Sequence, residues 1–200
     1  MASYRSNRIL PMILILVIAV IVIIALVSLI RLAVSSSSST PAVVDVSRTA
    51  LLDTAPGHSV KMTVRGPIVA DEEFHSYTIA ITPNTRNLTT YIGYTDTVVD
   101  DVVLANDTPA YEQFVYALDK AGMEKGKALT GDANDLRGRC AIGKVYDFQI
   151  LDGSTVVKEL WTSTCEASKG SLTASVSALV SLFQNQVPNA SATITKVNLR

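Results

Sequence analysis

Cys140-Ala-Ile-Gly-Lys-Val-Tyr-Asp-Phe-Gln-Ile-Leu-Asp152-Gly153-Ser-Thr-Val-Val-Lys-Glu-Leu-Trp-Thr-Ser-Thr-Cys165 is the stretch that decides the fold. Asp152-Gly153 separates two runs rich in β-branched and aromatic residues, the chemistry of a two-residue hairpin turn. Pairing across that turn sets Leu151 against Ser154 and, farther from the turn, Cys140 against Cys165 at a non-hydrogen-bonded position, with Cα atoms ~4.5 Å apart. A disulfide accepts that separation. A metal site would need further ligands, and the only histidines are His58 and His75. A redox pair would need Cys-x-x-Cys. A structural disulfide is therefore the expectation, with no metal and no cofactor. By the chain-entropy model it is worth roughly 3 kcal/mol, and it suits a compartment outside the cytoplasm.

The same register sorts the faces. It puts Cys140, Ile142, Tyr146, Phe148 and Ile150 on one side with Val157, Trp161 and Cys165, and Asp147, Gln149, Lys158 and Thr162 on the other. Lys144 opposite Trp161 and Glu159 opposite Tyr146 break this pattern. A single bulge would shift the distal register by one residue.

Working outward, residues 59–65 alternate Val60, Met62 and Val64 on one side and stop at Gly66-Pro67. Residues 77–81 and 88–92 flank Pro83-Asn84-Thr85-Arg86, a second hairpin. Thr108-Pro109 opens a helix whose apolar stripe is Tyr111, Phe114, Val115 and Leu118, with Gly122 as its stop. A second helix is expected from near Ser171 to before Pro188, and a final strand over 193–199. Asp96, Asp100, Asp101 and Asp107 read as acids that keep a long connection soluble. The fold class is α+β: an antiparallel sheet covered by two helices, behind an N-terminal transmembrane helix.

That helix is read from residues 9–30, with Ile9 at one end, Ile30 at the other and no charge between them. Twenty-two helical residues span roughly 33 Å, against a hydrocarbon core of ~30 Å. Pro11 falls in the first turn, where its missing N–H costs nothing. A cleaved signal peptide has a shorter apolar region, so an uncleaved signal anchor in the lipid bilayer is expected. Arg5 and Arg8 outweigh Arg31, which puts residues 1–8 in the cytoplasm and the chain beyond the anchor outside. Residues 31–57 comprise a Ser-rich spacer and an irregular segment in which Val46, Leu51 and Leu52 could form a short helix. Residues 58–200 form the extracytoplasmic domain. The expected localisation is the plasma membrane, as a single-pass protein.

Apart from Arg5, Arg8 and Arg31, which flank the anchor, the chain carries fourteen basic and eighteen acidic residues, a net charge of −4. Such a head offers no field for nucleic acid. The cluster Asp71, Glu72, Glu73 and His75 is the one place where a polar site could form, although charged residues also suit a solvated loop there. Asp132-Ala133-Asn134-Asp135 opens like a calcium loop, but Arg137 stands where that loop needs Gly. The chain has no Gly-x-Ser-x-Gly elbow, no Ser-x-x-Lys, no phosphate-binding Gly-rich loop and no His-Glu-x-x-His. No catalytic residue is assigned.

Arg65-Gly66-Pro67-Ile68, Cys140-Ala141-x-Gly143, Leu160-Trp161-x-Ser163-x-Cys165 and Leu182-Phe183-x-x-Gln186-Val187-Pro188 resemble single-pass surface proteins of small-genome candidate-phylum bacteria. The resemblance implies no activity. A type IV pilin offers a parallel of layout, but this chain lacks the Gly-Phe-x-x-x-Glu processing site and a Glu within the apolar helix. The function expected is a membrane-anchored binding or scaffolding module for a protein or cell-envelope component. The alternatives are a membrane-tethered envelope hydrolase built on His75 with Asp71, Glu72 or Glu73, and a pilin-like surface-assembly subunit.

Overall fold

The computed structural model describes residues 46–197 together with Ile18, Val22 and Leu199. The expected anchor lies outside the described residues apart from Ile18 and Val22, both helical, and so does the Ser-rich spacer. Among the described residues no helix is long and apolar enough to cross a membrane. The chain divides into two units, 1–44 and 45–200, and every strand among the described residues belongs to the second.

The element order is α1 (Val46–Leu52), β1 (His58–Arg65), β2 (His75–Ile81), β3 (Thr85–Ile92), β4 (Thr97–Ala105), α2 (Thr108–Ala121), β5 (Val145–Asp152), β6 (Thr155–Ser163), α3 (Val176–Gln184) and α4 (Ala190–Lys196). The fold is α+β, with a six-stranded antiparallel sheet in the order β4-β3-β2-β1-β5-β6. Strands β1 to β4 form a meander, and β5 adds to the free side of β1.

One face of the sheet carries the main core. Val60, Met62 and Val64 of β1 stand opposite Ile81, Ile79 and Tyr77 of β2, and Phe148 and Ile150 of β5 extend the row. All are buried, as period-2 alternation over a half-covered sheet requires. Four helices supply the other half of this core, where two were expected: Leu51 from α1, the predicted stripe of α2, Leu179 and Phe183 from α3, and Ala190 from α4. Phe183 is fully buried, its ring edge-on to Phe114 at 5.3 Å and 6.1 Å from Phe148.

The termini of α2 follow local chemistry. Asp107, one residue before the expected cap, accepts from the Ala110 amide at 2.8 Å, and Pro109 sits in the first turn. Gly122 ends the helix at φ 78°, a conformation that favours glycine, and its amide bonds back to the Leu118 and Asp119 carbonyls.

Three expectations are corrected. Residues 97–105 are not a connection but edge strand β4, in which Val102 and Leu104 pack on the core while Asp100 and Asp101 protect an edge that could otherwise pair with another chain. Residues 193–199 do not form a strand: 190–196 is helix α4, in which Ala190 and Ile194, one turn apart, meet the core. The helix expected from Ser171 begins at Val176.

The hairpin is also corrected in register. Its turn lies one residue later, with Asp152 opposite Thr155, and Val157 is an extra residue between the Leu151–Val156 and Ile150–Lys158 pairs. Beyond this bulge Phe148 faces Leu160 and Asp147 faces Trp161. Trp161 thus leaves the main core for the reverse face, and the odd placing of Glu159 is resolved: it stands opposite Gln149. Ile142, expected in the core, is exposed. Cys140 and Cys165 are bonded, with Cα atoms 5.6 Å apart, but they close the open end of the hairpin beyond its last paired residues.

Candidate binding site on the reverse face of the sheet

On the face turned away from the helices, strand register sets three rows across β1, β5 and β6. They are Lys61–Gln149–Glu159, Thr63–Asp147–Trp161 and Arg65–Val145–Ser163. Asp147 is the centre of this grid, with a cation diagonally before and after it on β1. Directly paired side chains on a sheet lie ~5 Å apart and diagonal ones ~7–8 Å, within reach of Lys and Arg.

The segment between α2 and β5 returns over part of this face. Leu129, Leu136 and Cys165 pack on Cys140, Val145 and Trp161 in a second, smaller core. The disulfide belongs to that cluster, so its closure holds the returning segment as well as the hairpin. Trp161 is fixed from its backbone: its N–H donates to Ser171 Oγ and its carbonyl accepts from the Ser171 and Leu172 amides. This close approach requires Gly170, at φ 72°, where a Cβ would collide with the Trp161 carbonyl. The Arg139 guanidinium lies 5.5 Å from the Trp161 ring centre and donates to the Asp132 and Asp135 carbonyls.

Polar side chains join the returning segment to the sheet. Asn134 donates to Glu159 Oε2 at 2.5 Å, and Gln149 donates at 2.9 Å to both Glu159 Oε1 and Asp147 Oδ2. Both Glu159 oxygens are thereby engaged. Asp147 is only 6% exposed, and its Oδ1 has no hydrogen-bond partner. Burial, reinforced by the nearby Glu159 charge, pushes the Asp147 carboxyl up to about 7, against the opposing pull of Lys61 and Arg65.

These groups surround a cleft of about 380 Å³, lined by Lys61, Thr63 and Arg65 on one side and by Asp135, Leu136 and Arg137 on the other, with Asp147, Gln149 and Glu159 at its base. Arg137 is held by a fork onto Asp135. Thr63 Oγ shares a hydrogen bond with Thr78 Oγ. No described side chain holds Lys61 or Arg65 in a hydrogen bond or ion pair. A second, more apolar cleft of about 250 Å³ shares Arg65, Leu136 and Arg137 and runs on over Phe74, Tyr94 and Cys140. Phe74 and Tyr94 stack there at 4.1 Å.

The polar cluster read from the sequence lies elsewhere. Asp71 Oδ1 accepts from the Tyr94 amide at 2.7 Å and so caps the turn after β3. Glu72 and Glu73 are exposed, and His75 Nδ1 lies 2.9 Å from the Glu73 carbonyl. None of the four lines either cleft. His58, at the opposite end of β1 from Arg65, lies 3.3 Å from Asp53 and 3.8 Å from Asp152. Among the described residues no three His, Cys, Asp or Glu side chains come together as a metal site.

Sequence reasoning did not assemble the grid. The alternation of Lys61, Thr63 and Arg65 with buried residues, and of Asp147 and Gln149 likewise, was the available signal. The bulge at Val157 hid the third column. Compared with known protein families, curated proteins and solved structures, the chain matches none.

Proposed function

We propose that this chain is a membrane-anchored, extracytoplasmic binding module whose head engages a protein or cell-envelope component on the reverse face of its sheet. The uncharged run from Ile9 to Ile30, the basic residues before it and the Ser-rich spacer support the tethered part of this reading. The Cys140–Cys165 bond is consistent with a head that matures where disulfides persist.

One observation carries the binding part: a buried carboxylate with an unpartnered oxygen, at the base of a cleft flanked by two cations that no described side chain holds. Leaving such a group unsatisfied costs ~1–3 kcal/mol, so its retention favours a role in recognition.

The test is photo-crosslinking in intact cells, with the reactive group placed in the full-length chain at Thr63 on the reverse face or at Tyr116 on exposed helix surface. Discrete adducts from Thr63 alone, lost in the Asp147→Asn background, are expected. Equal adducts from both positions, or none from Thr63, overturn the assignment of the face.

A further inference from the structure

We propose that the ligand of the Asp147 cleft is a small zwitterion, an ammonium group and a carboxylate within one amino-acid-sized fragment. This rests on the reading of the reverse face as the binding face and deepens it. Internal bonds leave only certain groups free. Both Glu159 oxygens are taken by Asn134 and Gln149, Arg137 is taken by Asp135, and Thr63 by Thr78. What remains is one buried acceptor without a partner, Asp147 Oδ1, in a residue at the base of the cleft, and two cations, Lys61 and Arg65, one on each diagonal of Asp147.

A ligand complementary to that set presents one positively charged donor to Asp147 and negative charge to the β1 side. An amino acid does both across a few ångströms. A simple amine would leave Lys61 and Arg65 without an acceptor, and a simple carboxylate would leave the Asp147 oxygen without a donor. A metal ion does not fit, because Asp135, Asp147 and Glu159 all line the cleft but among the described residues no three such side chains converge as ligands. The neighbouring cleft adds specificity: it begins at Arg65 and Leu136 and is walled by the stacked Phe74 and Tyr94 rings, so a side chain leaving the zwitterion toward it meets an apolar or aromatic surface. Amino acids with large apolar side chains are the preferred members of the class.

The experiment is calorimetric titration of the detergent-solubilised full-length chain with each of the common amino acids, with ethylamine and propionate as single-charge probes. Saturable binding of an apolar amino acid is expected, with both single-charge probes at least about tenfold weaker, the size of one lost charged hydrogen bond. Asp147→Asn and, separately, Arg65→Met should each weaken it by about tenfold or more. Arg65→Met serves if the buried Asn variant does not fold. Failure of every amino acid to bind, or equal binding of ethylamine or propionate, overturns the ligand class. If the Thr63 crosslinks still depend on Asp147 in that case, the binding face stands and only the ligand class falls. If both fail, the face falls with it.

Discussion

Asp147 and Trp161 stand directly opposite each other on β5 and β6, yet the carboxylate Oδ1 and the indole Nε1 are both buried without a hydrogen-bond partner. Two unpaired polar atoms on facing residues of a well-packed sheet mark a place where stability has been given up. The groups that bear on Asp147 are Lys61 and Arg65 from β1, Glu159 from β6, and Asp135 and Arg137 from the returning segment.

A first consequence is a pH-dependent stability. The folded-state value of Asp147, about 7, lies above the ~3.9 of an unfolded chain, so the folded form binds the extra proton between them. The contribution of Asp147 is complete below about pH 4, falls by up to about 1.4 kcal/mol per pH unit and levels off above about pH 7. Denaturant unfolding at a series of pH values should show this decline, and Asp147→Asn should flatten it. An unchanged profile in the variant would sink the assignment.

Removing the disulfide should destabilise the head by roughly 2–4 kcal/mol, because Cys140 and Cys165 close the hairpin and share a cluster with Trp161. Non-reducing peptide mapping should find the bond, and the paired Cys140→Ser, Cys165→Ser variant should unfold at lower temperature. Hydrogen exchange should rise first in β5, β6 and the returning segment rather than in β2 and β3.

Phe183→Ala should be the more damaging core change, at about 3–5 kcal/mol, since the ring is fully buried between Phe114 and Phe148. Thermal or denaturant unfolding reads this directly. A loss below about 1 kcal/mol would mean that α3 does not dock as described.

Deleting Val157 should be tolerated at a cost of about 1 kcal/mol. Without it Leu151–Val156 and Ile150–Lys158 become consecutive pairs, and Phe148–Leu160 and Asp147–Trp161 keep their partners. Inserting a residue between Glu159 and Leu160 should be far worse, because it turns Leu160 and Trp161 to the wrong faces. Similar unfolding midpoints for the two variants would contradict the bulge.

How far the sequence could be read depended on the range of the forces involved. Local signals placed β1, the β2–β3 hairpin, helix α2 and its glycine stop, and a hairpin closed by the two cysteines. The edge strand β4 escaped because its Asp100 and Asp101 resemble a loop, although an edge tolerates such residues on its open side. Helix α4 escaped because Thr193, Ile194, Thr195 and Val197 favour strands, and packing of Ala190 and Ile194 on the core overrode that preference. The candidate site was hardest to see. Its residues come from three strands and a connecting segment, and one uncounted residue at Val157 put Glu159 and Trp161 on the wrong sides.

The strand order also governs when a working surface can exist. Strands β1 to β4 are neighbours in sequence and can pair as the chain emerges, whereas β1 meets β5 only after some eighty residues more, a slower event because a long loop must close. Lys61, Thr63 and Arg65 belong to the early half, and Asp147, Gln149 and Glu159 to the late one. The cleft is therefore drawn across the seam between the halves, so a head that has stalled midway carries no trace of it, and occupancy of the cleft would favour the finished sheet over any partly assembled one.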